Sequence, residues 1–595
     1  METPASPGGR WLAFPRILWL SLAAALVLSL PMFLAGFVTD DYVYLGVLSG
    51  RPPPGPLPNT SYDLYRYVDG NPDTLQQLVT RGVYPWWTLP ELRLAFWRPL
   101  SSALAVLDHR LFGMSPTGYQ AHSILWYLAA VAVAGLLYRR LLPGLAAGLA
   151  VLLFALDDAH AVPVGWISNR NALVSAVPAM LGLWLHLEWR ERGRVWAMPL
   201  SIVGLALGLG GGEGALGFFA YLGCYELLGH KGPLRQRLLA LVPAVLLGLA
   251  YVVAYKSLGY GAFGSDFYID PARQPGPWLA NALTRVPALL SGLLLSLPSD
   301  MALSGPGFQV ALGLAGLAGV VAVGLLVRAA WPGLEEQQRR HLRWLMAGAA
   351  LSLLPVASTL PSNRLLLTPS LGGAAVVAVA LTQLWRWRER AWQPRALAAG
   401  AAVLVLLHVV TAPYFWWETA AGFRAVSARG DRIHGVLTGE LDSGRLAQQR
   451  VAVLAAPDPM VGMYTAARWW MGGGVLPRAW WTLSFSPEVH RATRTGPSTL
   501  ELELERGRFL TTRGERLYRY ADAPVAQGTD VDLQGVRVKV LEADAEGPRR
   551  LGVTFDAPLE DPSLVLLYWK EGALRRLQPP PTGGQVLLNV RMNVP

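Results

Sequence analysis

About eleven apolar runs of bilayer-spanning length, joined by connections that carry arginine, leave this chain few ways to fold. They fall at 17–38, 118–138, 141–156, 166–188, 196–212, 214–229, 238–256, 307–328, 343–360, 364–385 and 396–416. Runs of this kind are read as membrane helices, so the expected fold class is a polytopic α-helical membrane protein. Composition agrees: 52% of the 595 residues are hydrophobic and 15% are charged, where soluble proteins carry about 25%.

The arginines set an orientation. Arg139 and Arg140, then Arg190, Arg192 and Arg194, then Lys231, Arg235 and Arg237 mark successive ends of the runs. Arg328, Arg339, Arg340 and Arg343 follow, then Arg386, Arg388, Arg390 and Arg395. With the N-terminus inside, all of these clusters fall on the cytoplasmic face, as the positive-inside rule requires. Eleven crossings then place the C-terminal region outside. Leu283–Leu297 is apolar but interrupted by Arg285 and Pro287 and followed by Pro298, so it is read as re-entrant or interfacial. Arg10 and Arg16 before the first run imitate a signal peptide, but the run is longer than a signal core and is read as a retained helix.

The formal charge of +11 arises from these loop arginines; no zinc-finger spacing or basic reading helix is present, so nucleic acid is not an expected partner. A single cysteine, Cys224, excludes an intrachain disulfide and a cysteine-based metal site. Lysine occurs only at Lys231, Lys256, Lys539 and Lys570, an arginine bias that indicates a GC-rich bacterial genome and hence a bacterial inner membrane.

Two segments are not spans. The first outer loop, about 38–96, is far longer than a connector needs and carries Tyr62, Tyr65, Tyr67, Tyr84, Trp86 and Trp87. Such aromatics are expected as interfacial anchors, with a sugar-stacking platform as the other reading. After Trp417 the spans stop. Leu500-Glu501-Leu502-Glu503-Leu504-Glu505 alternates with period two, as a half-buried strand does. Val451–Ala456, Val536–Leu541, Leu551–Phe555, Leu564–Trp569 and Val586–Val590 read as further strands, and Met460–Met471 as a helix. The expected division is a transmembrane domain over 1–417 and a β-rich extracytoplasmic domain over 418–595.

Polar residues gather at the outer ends of the spans. Asp40 and Asp41 open the first outer loop and Phe96-Trp97-Arg98-Pro99-Leu100 closes it. The second outer loop holds Asp157, Asp158 and His160, then Trp166-Ile167-Ser168-Asn169-Arg170-Asn171. Glu213, Lys256 and Arg364 stand at further outer ends. Singly, Arg98, Arg170 and Arg364 could be structural partners of Asp157, Asp158 or Glu213. Together, several cations and carboxylates at one depth suit an anionic ligand handled beside a base, such as a phosphate at the membrane surface. Nine histidines and one cysteine argue against a dedicated transition-metal site, while carboxylates, Asp41 among them, could hold Mg²⁺ or Mn²⁺.

The run Leu153-Phe154-Ala155-Leu156-Asp157-Asp158-Ala159-His160 with Trp166-Ile167-Ser168-Asn169-Arg170-Asn171 resembles the second outer loop of the GT-C glycosyltransferases. It is most similar to the tetratricopeptide-containing transmembrane O-mannosyltransferases and their bacterial relatives. Arg98-Pro99-Leu100, Gly118-Tyr119, Glu213 and Arg364-Leu365-Leu366-Leu367-Thr368-Pro369-Ser370 also look like that group. The chain departs from it at four positions. Asp157 stands where the family has histidine, Val162 where it has an acid, Gly212 where it has lysine and Gln120 where it has histidine. The repeat domain is absent.

The resemblance implies a GT-C-like fold and inverting transfer of a sugar from a polyprenyl-phosphate-linked donor on the extracytoplasmic side, to an acceptor it does not define. It implies Asp40 as the base, with Asp41 orienting it or binding an acceptor or metal. Arg364 is the first candidate for the donor phosphate, followed by Arg170, Arg98 and Lys256. Asp157, Asp158, His160, Glu213, Asn169 and Asn171 are supporting polar groups. A transporter or flippase of lipid-linked saccharides would want polar or broken helices near the bilayer midplane, whereas the ionisable residues here sit at the outer ends. A non-catalytic envelope scaffold would tolerate Asp40→Asn and Asp41→Asn.

Overall fold

The computed structural model of the chain describes residues 14–387 and 395–591; Arg10, Arg388 and Arg390 lie outside the described residues. The apolar runs are helical over most of their length. Among the described residues seven helices are long and apolar enough to cross a membrane: Arg16–Leu34, Pro116–Leu141, Ile167–Arg192, Leu234–Ser257, Pro275–Leu295, Pro306–Gly333 and Leu397–Glu440. An eighth is reached if the bent pair Gly144–Leu156 and Asp158–Gly165 counts as one broken span. Ala197–Gly211 and Leu367–Thr382 are shorter apolar helices, so the count by length and composition stops short of eleven. The outward side chains are apolar: Leu246, Leu249 and Val253 of Leu234–Ser257 are 60%, 58% and 66% exposed, a surface that suits lipid and not water. The chain is an integral membrane protein.

It forms two compact units. The first comprises Met1–Gly36, Phe96–Leu258 and Asp270–Arg424. Its helices approach closely at small residues: a Cβ on Gly204 would stand 2.8 Å from the Pro178 carbonyl oxygen, and one on Gly316 would stand 2.0 Å from that of Pro287. Helix Asn171–Arg192 ends at Gly193, whose φ of +65° no branched residue adopts cheaply.

Helix Pro275–Leu295 contains the segment read as re-entrant or interfacial. It is continuous through Pro287, and by length and composition it counts among the helices able to cross. Near its start the Trp278 indole N–H donates to Ser358 Oγ at 3.1 Å, and Arg285 Nη1 donates to the Ala357 carbonyl at 3.2 Å. Just past its end, the Ser299 N–H donates to Asn363 Oδ1 at 3.0 Å. These bonds tie the helix and the segment after it to one connection, 357–366, which joins the consecutive helices Glu336–Val356 and Leu367–Trp387.

The second unit comprises Phe37–Ala95, Gly259–Ile269 and Ala425–Pro595. Strands β1 (Arg66–Asp69), β2 (Arg93–Ala95) and β3 (Gly261–Phe263) make a small antiparallel sheet. Ten further strands follow: β4 (Arg450–Ala455), β5 (Ala479–Thr482), β6 (His490–Gly496), β7 (Thr499–Leu504), β8 (Asp530–Asp532), β9 (Val536–Ala543), β10 (Pro548–Phe555), β11 (Leu564–Lys570), β12 (Ala573–Arg576) and β13 (Gln585–Leu588). Six make a sheet in the order β13-β6-β7-β10-β9-β8, and four make one in the order β12-β11-β4-β5, with β4 parallel to β11 and β5. The leucines of β7 are buried and its glutamates half-exposed, the pattern its alternation predicts. Central β4 is buried along its whole length.

The aromatics of the 38–96 loop are core residues of this unit rather than interfacial anchors. Trp86 and Trp87 are 4% and 1% exposed, and their indole N–H groups donate to the Leu483 and Glu515 carbonyls at 3.1 Å each. Buried indoles need such partners, and the β-rich segment supplies them. Tyr62, in contrast, is 61% exposed.

Candidate functional site

In the second unit the chain turns sharply into helix Asp40–Leu48 at Thr39, which has φ +45° and ψ −114°. That conformation costs a β-branched residue about 1–3 kcal/mol and persists only where neighbours fix it. Asp41 does so. Its carboxylate, 1% exposed, accepts the Val38 N–H at 3.0 Å and so bridges the strained residue. Asp41 is thereby committed to the turn, and Asp40 is held beside it in the first turn of the helix.

Asp40 is half-buried among tyrosines. The Tyr464 hydroxyl donates to its Oδ1 and the Tyr67 hydroxyl to its Oδ2, the latter at 3.4 Å and so the weaker bond. Tyr67 is bonded in turn to the Tyr44 hydroxyl, and Tyr84 donates to the Tyr67 carbonyl at 2.8 Å. Burial pushes the phenols of Tyr44, Tyr84, Tyr464 and Tyr518 above their ordinary pKa, and the Asp40 charge pushes them further. Tyr42 is raised to about 12 by burial, which outweighs the lowering by Arg468. At neutral pH these groups keep their protons, so Tyr464 acts towards Asp40 as a donor only.

The first unit gathers its polar residues around the 357–366 connection. Asp158 Oδ2 accepts from Asn363 Nδ2 at 2.7 Å, Asn363 Oδ1 accepts from Ser299 Oγ at 2.7 Å, and the Asn363 N–H donates to Asp300 Oδ2 at 3.1 Å. Next along the chain, the Arg364 guanidinium lies 5.3 Å from the centre of the Trp166 ring. No carboxylate among the described residues forms an ion pair with Arg364. Asp158 Oδ1, Trp166 Nε1 and Asn169 Oδ1 are buried with no hydrogen-bond partner among the described residues.

The other expected cations have partners. Arg170, 3% exposed, pairs with Asp108 and donates to the Tyr119 carbonyl at 3.2 Å, while Asp108 also holds His122 Nδ1 at 2.6 Å. Arg98 Nε donates to Glu213 Oε2 at 2.9 Å, and the Tyr255 hydroxyl donates to Glu213 Oε1 at 3.2 Å. Lys256 pairs with Asp270. Asp157 accepts the Ala159 N–H at 3.0 Å as a helix cap. His160 is buried between the Tyr127 and Phe154 rings and bonds Ser370 Oγ at 3.1 Å. The Asn171 amide donates to the Ser168 and Asn169 carbonyls at 3.2 and 3.3 Å.

Asp108, Asn363, Asp300, Tyr67 and Tyr464 were not among the expected site residues. Asn363 adjoined Arg364 in a quoted run; Tyr464 carried no signal of its own in the sequence. Among the described residues no three His, Cys, Asp or Glu side chains come together closely enough to hold a metal ion.

No family model matches the chain. No curated protein matches it either. Among solved structures, the Archaeoglobus fulgidus oligosaccharyltransferase tethered with an acceptor peptide is similar at TM-score 0.41 and 11% identity, over 79% of this chain and 64% of that one. ArnT from Cupriavidus metallidurans bound to undecaprenyl phosphate is similar at TM-score 0.40 and 15% identity, over 77% of this chain and 85% of that one. The archaeal oligosaccharyltransferase AglB from Archaeoglobus fulgidus, in complex with an inhibitory peptide and a dolichol-phosphate, gives TM-score 0.42 and 11% identity over 78% of this chain. This chain spans 64% of the length of each oligosaccharyltransferase chain.

Proposed function

We propose that the protein is a GT-C-type membrane glycosyltransferase that moves a sugar from a polyprenyl-phosphate-linked donor to a hydroxyl acceptor on the extracytoplasmic face of a bacterial inner membrane. The observation that carries this reading is Asp40: a carboxylate set beside a strained turn, with a phenol hydroxyl bonded to each oxygen. An acceptor hydroxyl ionises far above neutral pH, so a positioned base must take its proton as attack proceeds. The acceptor oxygen bonds to the anomeric carbon, the bond from that carbon to the phosphate oxygen breaks with inversion, and Asp40 receives the proton. The leaving polyprenyl phosphate needs charge stabilisation rather than a proton.

Arg364 is assigned to that phosphate. Arg170, Arg98 and Lys256 are already paired with Asp108, Glu213 and Asp270, which leaves them less charge to offer. The bonds from Asp158, Ser299 and Asp300 to Asn363 fix the backbone from which Arg364 projects.

The test is complementation of a strain lacking the gene, with lipid-linked saccharides and envelope glycans read by mass spectrometry. Loss of the protein is expected to remove one glycan and accumulate its polyprenyl-linked donor. Asp40→Asn is expected to insert normally and to lower transfer by about 10²- to 10⁴-fold, the range for a general base. Full complementation by Asp40→Asn would sink the assignment.

A further inference from the structure

We propose that Tyr464 and Tyr67 form a clamp that positions the Asp40 base, so that the C-terminal part of the chain completes the reactive centre instead of serving only as a separate recognition module. This rests on the assignment of Asp40 as the base. Tyr464 stands at the start of helix Tyr464–Met471, more than four hundred positions along the chain from the residue it bonds. That helix is fixed against Asp40's own helix. A Cβ on Gly46 would stand 2.4 Å from the Trp470 ring, so the two helices meet with no room for a side chain. Trp470 Nε1 donates to the Pro52 carbonyl at 3.0 Å, and Arg51 Nη1 returns a bond to the Trp470 carbonyl at 3.2 Å. The phenol therefore has little freedom to leave the carboxylate.

A carboxylate has about four lone-pair directions on its two oxygens. One phenol on each oxygen fixes the plane of the group at both ends. Bonds donated to a carboxylate are stronger than bonds between neutral groups, so they hold the side chain in place. Tyr464 makes the shorter bond and carries more of this effect; Tyr67, at 3.4 Å, carries less. Both are positioning residues that act through Asp40. A purely structural tyrosine would act through its ring, and that difference sets the test.

Full-length protein in native membranes is assayed with polyprenyl-phosphate-linked saccharides extracted from the same cells, following release of the polyprenyl phosphate as donor concentration is varied. Tyr464→Phe keeps the ring and removes the hydroxyl. It is expected to lower kcat about tenfold, the effect of one charge-assisted hydrogen bond, with KM for donor and the unfolding temperature unchanged. Tyr67→Phe is expected to lower kcat by a smaller factor of the same kind. If Tyr464→Phe turns over at the parental rate while Asp40→Asn does not, the clamp is wrong and the base assignment stands. If Asp40→Asn itself turns over normally, the base assignment falls first. If Tyr464→Phe fails to fold, Tyr67→Phe decides, and an unchanged kcat there overturns the clamp.

Discussion

Arg170 offers a direct separation of structural from ligand-binding arginines. Its guanidinium and the Asp108 carboxylate are almost wholly buried, with side-chain exposures of 4% and 1%. Replacing Arg170 by Met keeps the bulk but strands a carboxylate in a low-dielectric interior. Breaking a buried pair from one side costs about 3–5 kcal/mol, because the remaining charge loses its compensation. Here His122 still bonds Asp108 at 2.6 Å, so the low end, about 3 kcal/mol, is expected. The double variant Arg170→Met/Asp108→Leu removes both charges and should recover most of that loss, since apolar replacement of a whole buried pair is often neutral. The assay is thermal unfolding of detergent-solubilised protein, followed by tryptophan fluorescence, alongside glycan transfer in complemented cells. The single variant should unfold several degrees lower and accumulate poorly; the double variant should regain both stability and transfer. A single variant as stable as the parent would refute the energetic argument. A double variant that is stable but inactive would show that Arg170 acts on the ligand.

Two further outcomes follow from the second unit. Gly46→Ala should destabilise it by about 1–3 kcal/mol, as overpacking does, because the added methyl would meet the Trp470 ring at 2.4 Å; limited proteolysis of this unit would report the change, and wild-type resistance would contradict it. His490 is held neutral by burial, with its pKa lowered to about 4, Nδ1 bonded to the Glu488 carbonyl at 2.9 Å and Nε2 to Ser484 Oγ at 2.8 Å. The unfolded chain binds a proton there near pH 6.5 and the folded one only near pH 4, so stability is full above pH 6.5 and falls as pH drops towards 4, by about 3 kcal/mol. Unfolding of the full chain between pH 7 and 4.5 should show that slope, and His490→Gln should flatten it; equal slopes would count against the assignment.

Much of the fold is legible because its signals are local. Runs such as 118–138 and 307–328 exceed the length a bilayer needs, and β7 alternates with a period only a half-buried strand explains. The reading of 283–297 as re-entrant or interfacial rests on Arg285 and Pro287 as breakers, but the helix runs unbroken from Pro275 to Leu295 and is long enough to cross. Trp86 and Trp87 misled because an indole beside a membrane span and an indole in a core have the same local sequence; only the remote carbonyls of Leu483 and Glu515 distinguish them. Tyr464 was invisible for the same reason, since nothing near it in sequence announces a carboxylate at Asp40. Asp108 has no sequence neighbour that marks it, because its pairing with Arg170 crosses between elements.

The second unit draws on three stretches, of which Phe37–Ala95 is synthesised long before Ala425–Pro595. At ~5–20 residues per second, the earliest stretch waits tens of seconds for the strands that will cover it. During that interval Trp86 and Trp87 have no carbonyls to receive their indole protons and no sheet to lie against. Biogenesis must therefore include a period in which this sticky, half-made unit is shielded from self-association. Truncations that end before the last strands should fail in quality control and leave no shortened protein behind.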